Sequence, residues 1–319
     1  MRLASLRDGS ADGALALVSD DGTRVLRVGG NLLAAMEDWP ATHARLAAAE
    51  ARLIAGEGES TDDADFAAPL PRTWQWLDGS AFTTHGDLMA IAFKHDPHEG
   101  DRPLMYQGLS DRFYGPADPV PFPAVEHGID FEGEFGVIVD AVPMGTSAAD
   151  AMKHIRLIVQ INDWSLRAIA PIEMKTGFGW VQAKPACSMA PFAVTPDALG
   201  DAWQNGRVCL DLIIDWNGRE VGRANGAAMA FGFHELVAHA ALTRDLVAGT
   251  VIGSGTVSNA NYAEVGSSCI SEIRAIEIIA HGAPQTPFMA FGDSLRMTAV
   301  ASTGRAPFGM IDQEVVKAG

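Results

Sequence analysis

Glu132 and Glu134 stand two residues apart in the run Phe131-Glu132-Gly133-Glu134-Phe135, which leads directly into Val137-Ile138-Val139. In an extended strand this spacing puts both carboxylates on one face. An isolated Glu-x-Glu is more often an exposed face with two solvated charges. Here the continuation is apolar on both faces, which predicts a buried strand. Two buried like charges repel strongly unless a proton or a cation separates them. A third carboxylate, Asp163, ends the next apolar run, Leu157-Ile158-Val159-Gln160-Ile161. Three oxygen donors without a neighbouring His or Cys specify a hard cation, Mg²⁺, Mn²⁺ or Ca²⁺, with positions left for water and substrate.

The elements that must carry these side chains are strands. Residues 135–140, 156–163, 208–218 and 273–280 are strand-like runs. Residues 14–28 read as a hairpin turning at Asp21-Gly22. From Asn31 to about Leu53 an Ala/Leu-rich pattern predicts a helix that Pro40 ends or kinks. The polar stretch around Asp62, Asp63 and Asp65 reads as a linker closing a small N-terminal α+β unit, 1–68, ahead of a larger catalytic unit, 69–319. Ser147 starts a short helix ending near His154, and further helices are expected at about 231–241 and 242–248. The fold class expected is mixed α/β and β-rich, without regular βαβ alternation.

Composition narrows the functions. The chain has 319 residues, 23 Lys+Arg against 40 Asp+Glu, a net charge of −17 and a pI near 4.8. That balance argues against nucleic acid or an anionic membrane as partner, since both need a basic surface. No run is long enough to span a bilayer and the first residues carry no apolar leader, so a cytoplasmic location is expected. Three scattered cysteines, Cys187, Cys209 and Cys269, fit neither a disulfide framework nor a zinc knuckle; the expectation is small, buried, reduced thiols. His234-Glu235 and His239 miss the zinc-protease spacing by one residue, and Gly253-Ser254-Gly255 lacks the third glycine of a dinucleotide site. Trp74, Trp76, Tyr106, Phe113 and Tyr114 are an aromatic set that serves either a core or a substrate pocket.

The segments FEGEF (131–135), INDWSLR (161–167), PLMYQGLSDRFYGPADP (103–119), IGSGTVSN (252–259), GSSCISE (266–272) and TPFMAFGD (286–293), with Lys184, resemble the fumarylacetoacetate hydrolase family. The resemblance covers nearly all of 70–319 in order, and residues 1–65 are similar to the small N-terminal domain of some members. It implies a mixed β-sandwich roll, a homodimer, and a divalent metal, Mg²⁺ foremost, on Glu132, Glu134 and Asp163. It implies substrate contacts from Arg167, Gly255 and Thr256, an active-site Lys184, and a water-activating His85 on a lid around 80–100. The sequence departs from the family where a Glu often follows the histidine by three residues: Leu88 stands there, leaving Asp87 or Glu272 as partner of His85. Ala170 replaces a frequent Gln.

The chemistry so implied is hydrolysis of a carbon–carbon bond in a small anionic β-diketone, fumarylacetoacetate foremost, to fumarate and acetoacetate. The alternatives are acylpyruvate hydrolysis, oxaloacetate decarboxylation, 2-oxo-enoate hydration or isomerisation, or a weakened member that only binds small acids. Arg167 also has a plainer role, neutralising the acidic cluster, and Lys184 that of a surface loop lysine.

Overall fold

The computed structural model describes residues 1–94 and 102–319, so the expected lid segment lies partly outside the described residues. Among the described residues, strands form an eleven-stranded sheet, a five-stranded sheet and two short ribbons, a β-rich mixed α/β architecture. The large sheet runs in the order Glu59–Ser60, Arg24–Arg27, Ala14–Val18, Arg2–Leu6, Ala193–Val194, Ile155–Asn162, Gly133–Val139, Val251–Gly253, Trp76–Ser80, Leu104–Gly108, with the eleventh strand, Ser188–Met189, paired off this path with Ile155–Asn162. Its neighbours are antiparallel except Val251–Gly253 beside Trp76–Ser80. The first strands join this same sheet, with Arg2 opposite Val194.

The Gly133–Val139 strand is buried along its whole length. Phe135, Val137 and Val139 pack towards Leu212, Ile214 and Met297 of the five-stranded sheet. Ile138 packs on the other side with Trp76 and residues of the N-terminal helices such as Leu46. Such a strand reads as a continuous apolar run because neither face meets water. Glu134 inside it and Glu132 immediately before it, both buried, are therefore exceptions that the core must accommodate.

Several sequence expectations are corrected. Residues 273–280 are not a strand but part of the helix Ile270–His281. The β-branched isoleucines favoured a strand, but Asp130 accepts from the N–H groups of Ile270 and Ser271 at 2.8 and 2.9 Å, and Gly282 closes the other end at φ 82°. Capping by a residue remote in sequence overrides a weak local propensity. No helix forms at 242–248, where Leu246 instead exchanges two 2.9 Å backbone hydrogen bonds with Val142. The N-terminal helix divides at Asp38, which caps Trp39–Ile54, so Pro40 begins the second helix instead of ending the first. The expected 208–218 strand is shortened to Asp211–Trp216, turning at Asn217 into Arg219–Asn225. The 14–28 hairpin, the Ser147-capped helix and the helix Phe233–Ala240 stand where expected. No helix among the described residues is long and apolar enough to cross a membrane.

Candidate active site

Backbone pairing brings the acidic residues together. Glu132 donates its N–H to the Asn162 side chain at 2.9 Å, and the Asp163 N–H donates to the Glu132 carbonyl at 3.0 Å. Glu134 lies opposite Ile161 on the adjoining strand. Two strands away in the same sheet, Asp78 sits in the Trp76–Ser80 strand. Oxygens of Asp78, Glu134 and Asp163 all lie within 4.8 Å of one another, and all three side chains are buried. Both carboxylate oxygens of Glu134 lack a hydrogen-bond donor. Burial, then the charges of Asp78 and Asp163, push the Glu134 carboxyl well above its usual range; burial and Asp163 do the same to Asp78. A buried glutamate facing two carboxylates without a donor is a site for a proton or a cation. Its all-oxygen chemistry fits a hard divalent ion.

The other end of the pocket is cationic. Glu132 is held by Arg167 and by Lys184 Nζ, the latter at 2.7 Å, and Lys184 reaches Asp163 at 2.6 Å. Burial would raise the Glu132 carboxyl, but Arg167 and then Lys184 outweigh it and hold it at about 2. Burial opposes the charge on Lys184, yet Asp163 and Glu132 push its ammonium above the ordinary lysine range. Arg167 also donates from Nε to Asp130 at 2.8 Å, the residue that caps the Ile270–His281 helix.

That helix presents Glu272 at its first turn, fully buried, with Oε2 2.8 Å from His85 Nδ1. His85 lies in the helix Thr83–Phe93, which touches Ile270–His281 where Met89 Sδ meets Ser271 at 3.7 Å. Asp87, the other candidate partner, is exposed. Gly255 adopts φ 73° and donates its N–H to Asp78 at 3.0 Å; an added Cβ would lie 2.4 Å from the Gly79 carbonyl. Thr256 follows it, buried.

The structure thus brings His85, Glu272, Arg167, Lys184, Glu132, Glu134, Asp163 and the Gly255–Thr256 turn into one neighbourhood. It departs from the expected trio in one respect: the three mutually close carboxylates include Asp78, while both oxygens of Glu132 are engaged by Arg167 and Lys184. Asp78 was legible as an acid inside an apolar strand, seven residues before His85, beside glycines. At Gly253, opposite it, a Cβ would fall 2.3 Å from Asp78 Oδ1. Asp130 carried no such signal, because its role is a helix cap formed across the fold. Tyr106 was named for its ring, but its hydroxyl donates to Asp163. Two of the cysteines are more than small apolar filling: the Cys187 thiol donates to Asp163 at 3.1 Å, and Cys269 Sγ caps the Glu272 N–H at 3.3 Å.

The family model for the fumarylacetoacetate (FAA) hydrolase C-terminal domain matches residues 75–316, and that for fumarylacetoacetase N-terminal domain 2 matches residues 1–72. The chain belongs to the fumarylacetoacetate hydrolase family. Among curated members of that family it is 25% identical over 181 residues to the 2,4-didehydro-3-deoxy-L-rhamnonate hydrolase of Sphingomonas sp. (strain SKA58), covering 54% of this chain and 61% of that one. It is 26% identical over 162 residues to the human mitochondrial oxaloacetate tautomerase FAHD2A, 48% of each chain. The chain thus matches about half to three-fifths of the length of these relatives. Among solved structures, maleylpyruvate hydrolase from Sphingobium sp. SYK-6, in complex with manganese(II) and pyruvate, superposes with a TM-score of 0.69 at 17% identity, covering all of both chains. A 5-carboxymethyl-2-hydroxymuconate delta-isomerase from Mycobacterium smegmatis does so at 0.63 and 18%, again over all of both chains. At these identities the likeness is one of the fumarylacetoacetate hydrolase fold.

Proposed function

We propose that this protein is a divalent-metal-dependent enzyme that hydrolyses a carbon–carbon bond in a small anionic 1,3-dicarbonyl or 2-oxo acid, with fumarylacetoacetate, giving fumarate and acetoacetate, as the substrate to test first. The observation that carries the reading is Glu134, buried without a donor and facing Asp78 and Asp163, with its neighbour Glu132 close enough to feel the charge of His85, the partner of Glu272. Asp78, Glu134 and Asp163 would hold the ion, Mg²⁺ foremost and Mn²⁺ or Ca²⁺ otherwise, with Glu132 as a further ligand if it releases Lys184. When bound, the ion polarises a carbonyl and stabilises an enolate leaving group.

The chain's own residues supply the rest. Glu272 accepts from His85 Nδ1–H and so leaves Nε2 as the acceptor for a proton from water. Lys184 and Arg167 stabilise a carboxylate or an oxyanion by charge-assisted hydrogen bonds in a site shielded from water. The Thr256 hydroxyl and the Gly255 turn approach the substrate's oxygens from the opposite strand. A curated relative that is an oxaloacetate tautomerase supports a second reading, in which the His85–Glu272 pair only moves a proton between oxygen and carbon and no carbon–carbon bond breaks. The family resemblance further supports a homodimer, checked by light scattering.

The experiment is direct. Purified protein with Mg²⁺ or Mn²⁺ is given fumarylacetoacetate, an acylpyruvate and enol-oxaloacetate, with enol absorbance and products followed together. Two acid products from one diketone support the hydrolase. Loss of enol with carbon count unchanged supports the tautomerase, and binding without turnover overturns both.

A further inference from the structure

Arg167 and Lys184 are joined by a loop whose base is closed by the Leu166 N–H donating to the Ala183 carbonyl at 2.8 Å. The loop rises from this base through the five-residue helix Ala170–Met174. Much of its surface is poorly anchored: Ile172, Met174, Phe178 and Val181 are 61–95% exposed. Apolar packing on the returning segment is confined to the buried Ala183 at the base and the Trp180 ring. One side chain ties the backbone between them. Glu173 Oε1 accepts from the N–H groups of Val181 and Gln182 at 3.1 and 2.9 Å, and Oε2 from those of Val181 and Ala183 at 3.1 and 3.0 Å. Three consecutive backbone donors converge on one carboxylate, a charge-assisted arrangement stronger than a neutral one.

Both flanks of this clasp reach the pocket. Immediately before it, the Trp180 ring meets Tyr106 edge-on with centroids 6.3 Å apart, and Tyr106 donates to Asp163. Immediately after it, Lys184 extends to Glu132 and Asp163, with Nζ 5.3 Å from the Tyr106 ring centroid. Lys184 has a long, flexible stem, so its ammonium meets Glu132 and Asp163 only if its backbone stands within reach of them.

We propose that Glu173 is a positioning residue: by clasping the backbone of 181–183 it sets where the Lys184 ammonium and the Trp180 ring stand in the pocket, without touching substrate itself. The inference rests on the functional reading above for what Lys184 does, but the clasp has its own readout.

The test compares Glu173→Ala and Glu173→Gln with the wild type in the full chain with Mn²⁺. Amide exchange at Val181, Gln182 and Ala183 is slow in the wild type and about tenfold or more faster in Glu173→Ala. Turnover of the best substrate falls about 100-fold in kcat, the cost of a misplacement near 1 Å. Glu173→Gln, which keeps one acceptor oxygen, falls in between. The melting temperature stays within about 2 °C, since the side chain lies outside the core. Acrylamide quenching of the Trp180 share of fluorescence, isolated by difference against Trp180→Phe, rises in Glu173→Ala. A Glu173→Ala enzyme with kcat within twofold of wild type overturns the proposal. So do wild-type amides at 181–183 that exchange like free peptide, and a kcat loss fully matched by a loss of melting temperature. A wild type that turns over none of the substrates defeats the functional reading instead, and the exchange and quenching measurements still decide the clasp.

Discussion

The two glutamates of Glu132-Gly133-Glu134 sit one strand step apart and meet opposite surroundings. Glu132 is gripped by Arg167 and Lys184 and lies at about 2, while Glu134 has no donor and is pushed well above its ordinary value by burial, Asp78 and Asp163. Burial acts on both in the same direction. What separates them is the sign of the nearest charges, which the fold places by bringing Arg167 and Lys184 to Glu132, and Asp78 and Asp163 to Glu134. An anionic substrate would find cations at the Glu132 end, and a divalent ion would find acceptors at the Glu134 end. The six buried acids Asp78, Asp130, Glu132, Glu134, Asp163 and Glu272 outnumber by two the positive charge of Arg167, Lys184 and such an ion. Attraction of an anion therefore depends on where the cations stand and not on a net positive pocket.

The contrast can be broken from the Glu134 end first. Glu134→Gln is expected to abolish turnover and to weaken Mn²⁺ binding by more than about 100-fold, beyond what loss of an outer-shell partner costs. Calorimetry showing affinity within threefold of wild type would remove Glu134 from the ion site. His85→Ala should lower kcat by about 10² to 10⁴ as a lost general base, with Mn²⁺ affinity unchanged in the same titration. Lys184→Met attacks the other end. It leaves Glu132 and Asp163 buried beside an apolar chain and should destabilise the metal-free protein by about 3–5 kcal/mol in urea unfolding. A change near zero would mean that water already reaches these groups.

The pH dependence of the metal-free protein carries both signs. The stability contributed by Glu132, depressed to about 2, is present above the usual glutamate value near 4.5 and is lost as pH falls towards 2. That contributed by Asp78 and Glu134, both raised, is full below their ordinary values and is lost as pH rises through the raised ones. Thermal melts from pH 3 to 8 should therefore rise and then fall, and Glu134→Gln should flatten the alkaline side. A monotonic profile would refute the opposed environments. The smallest effect belongs to the surface: Arg52 and Glu57 pair at 2.7 Å in the open, and Glu57→Gln should leave the melting temperature and turnover unchanged.

Part of the site was legible because its residues declare themselves against their local pattern: Glu132, Glu134 and Asp163 are acids in or beside apolar strands. His85, Arg167, Lys184 and the Gly255–Thr256 turn were legible only through the resemblance of their motifs to a family. Asp78 is also an acid in a short strand, but by itself it has no partner until Gly253 and Asp163 are brought beside it. Residues 273–280 show the opposite failure. Their isoleucines favour a strand locally, but Cys269 caps the helix from within the segment and Asp130, some 140 positions earlier, accepts from its first N–H groups, and the helix so started delivers Glu272 to His85.

By itself the amino-acid sequence determined that a hard-cation chemistry was available, that the chain was β-rich, and which family its motifs resemble. These properties depend on residue type and short spacing, which survive without coordinates. Which acids face one another, which glutamate is neutralised by Arg167 and Lys184, and which carboxylate stands beside His85 were decided by tertiary structure alone. The physical reason is that charge acts through space: distances of 2.6 to 4.8 Å between residues 21 to 85 positions apart exist only once the sheet has brought its strands side by side.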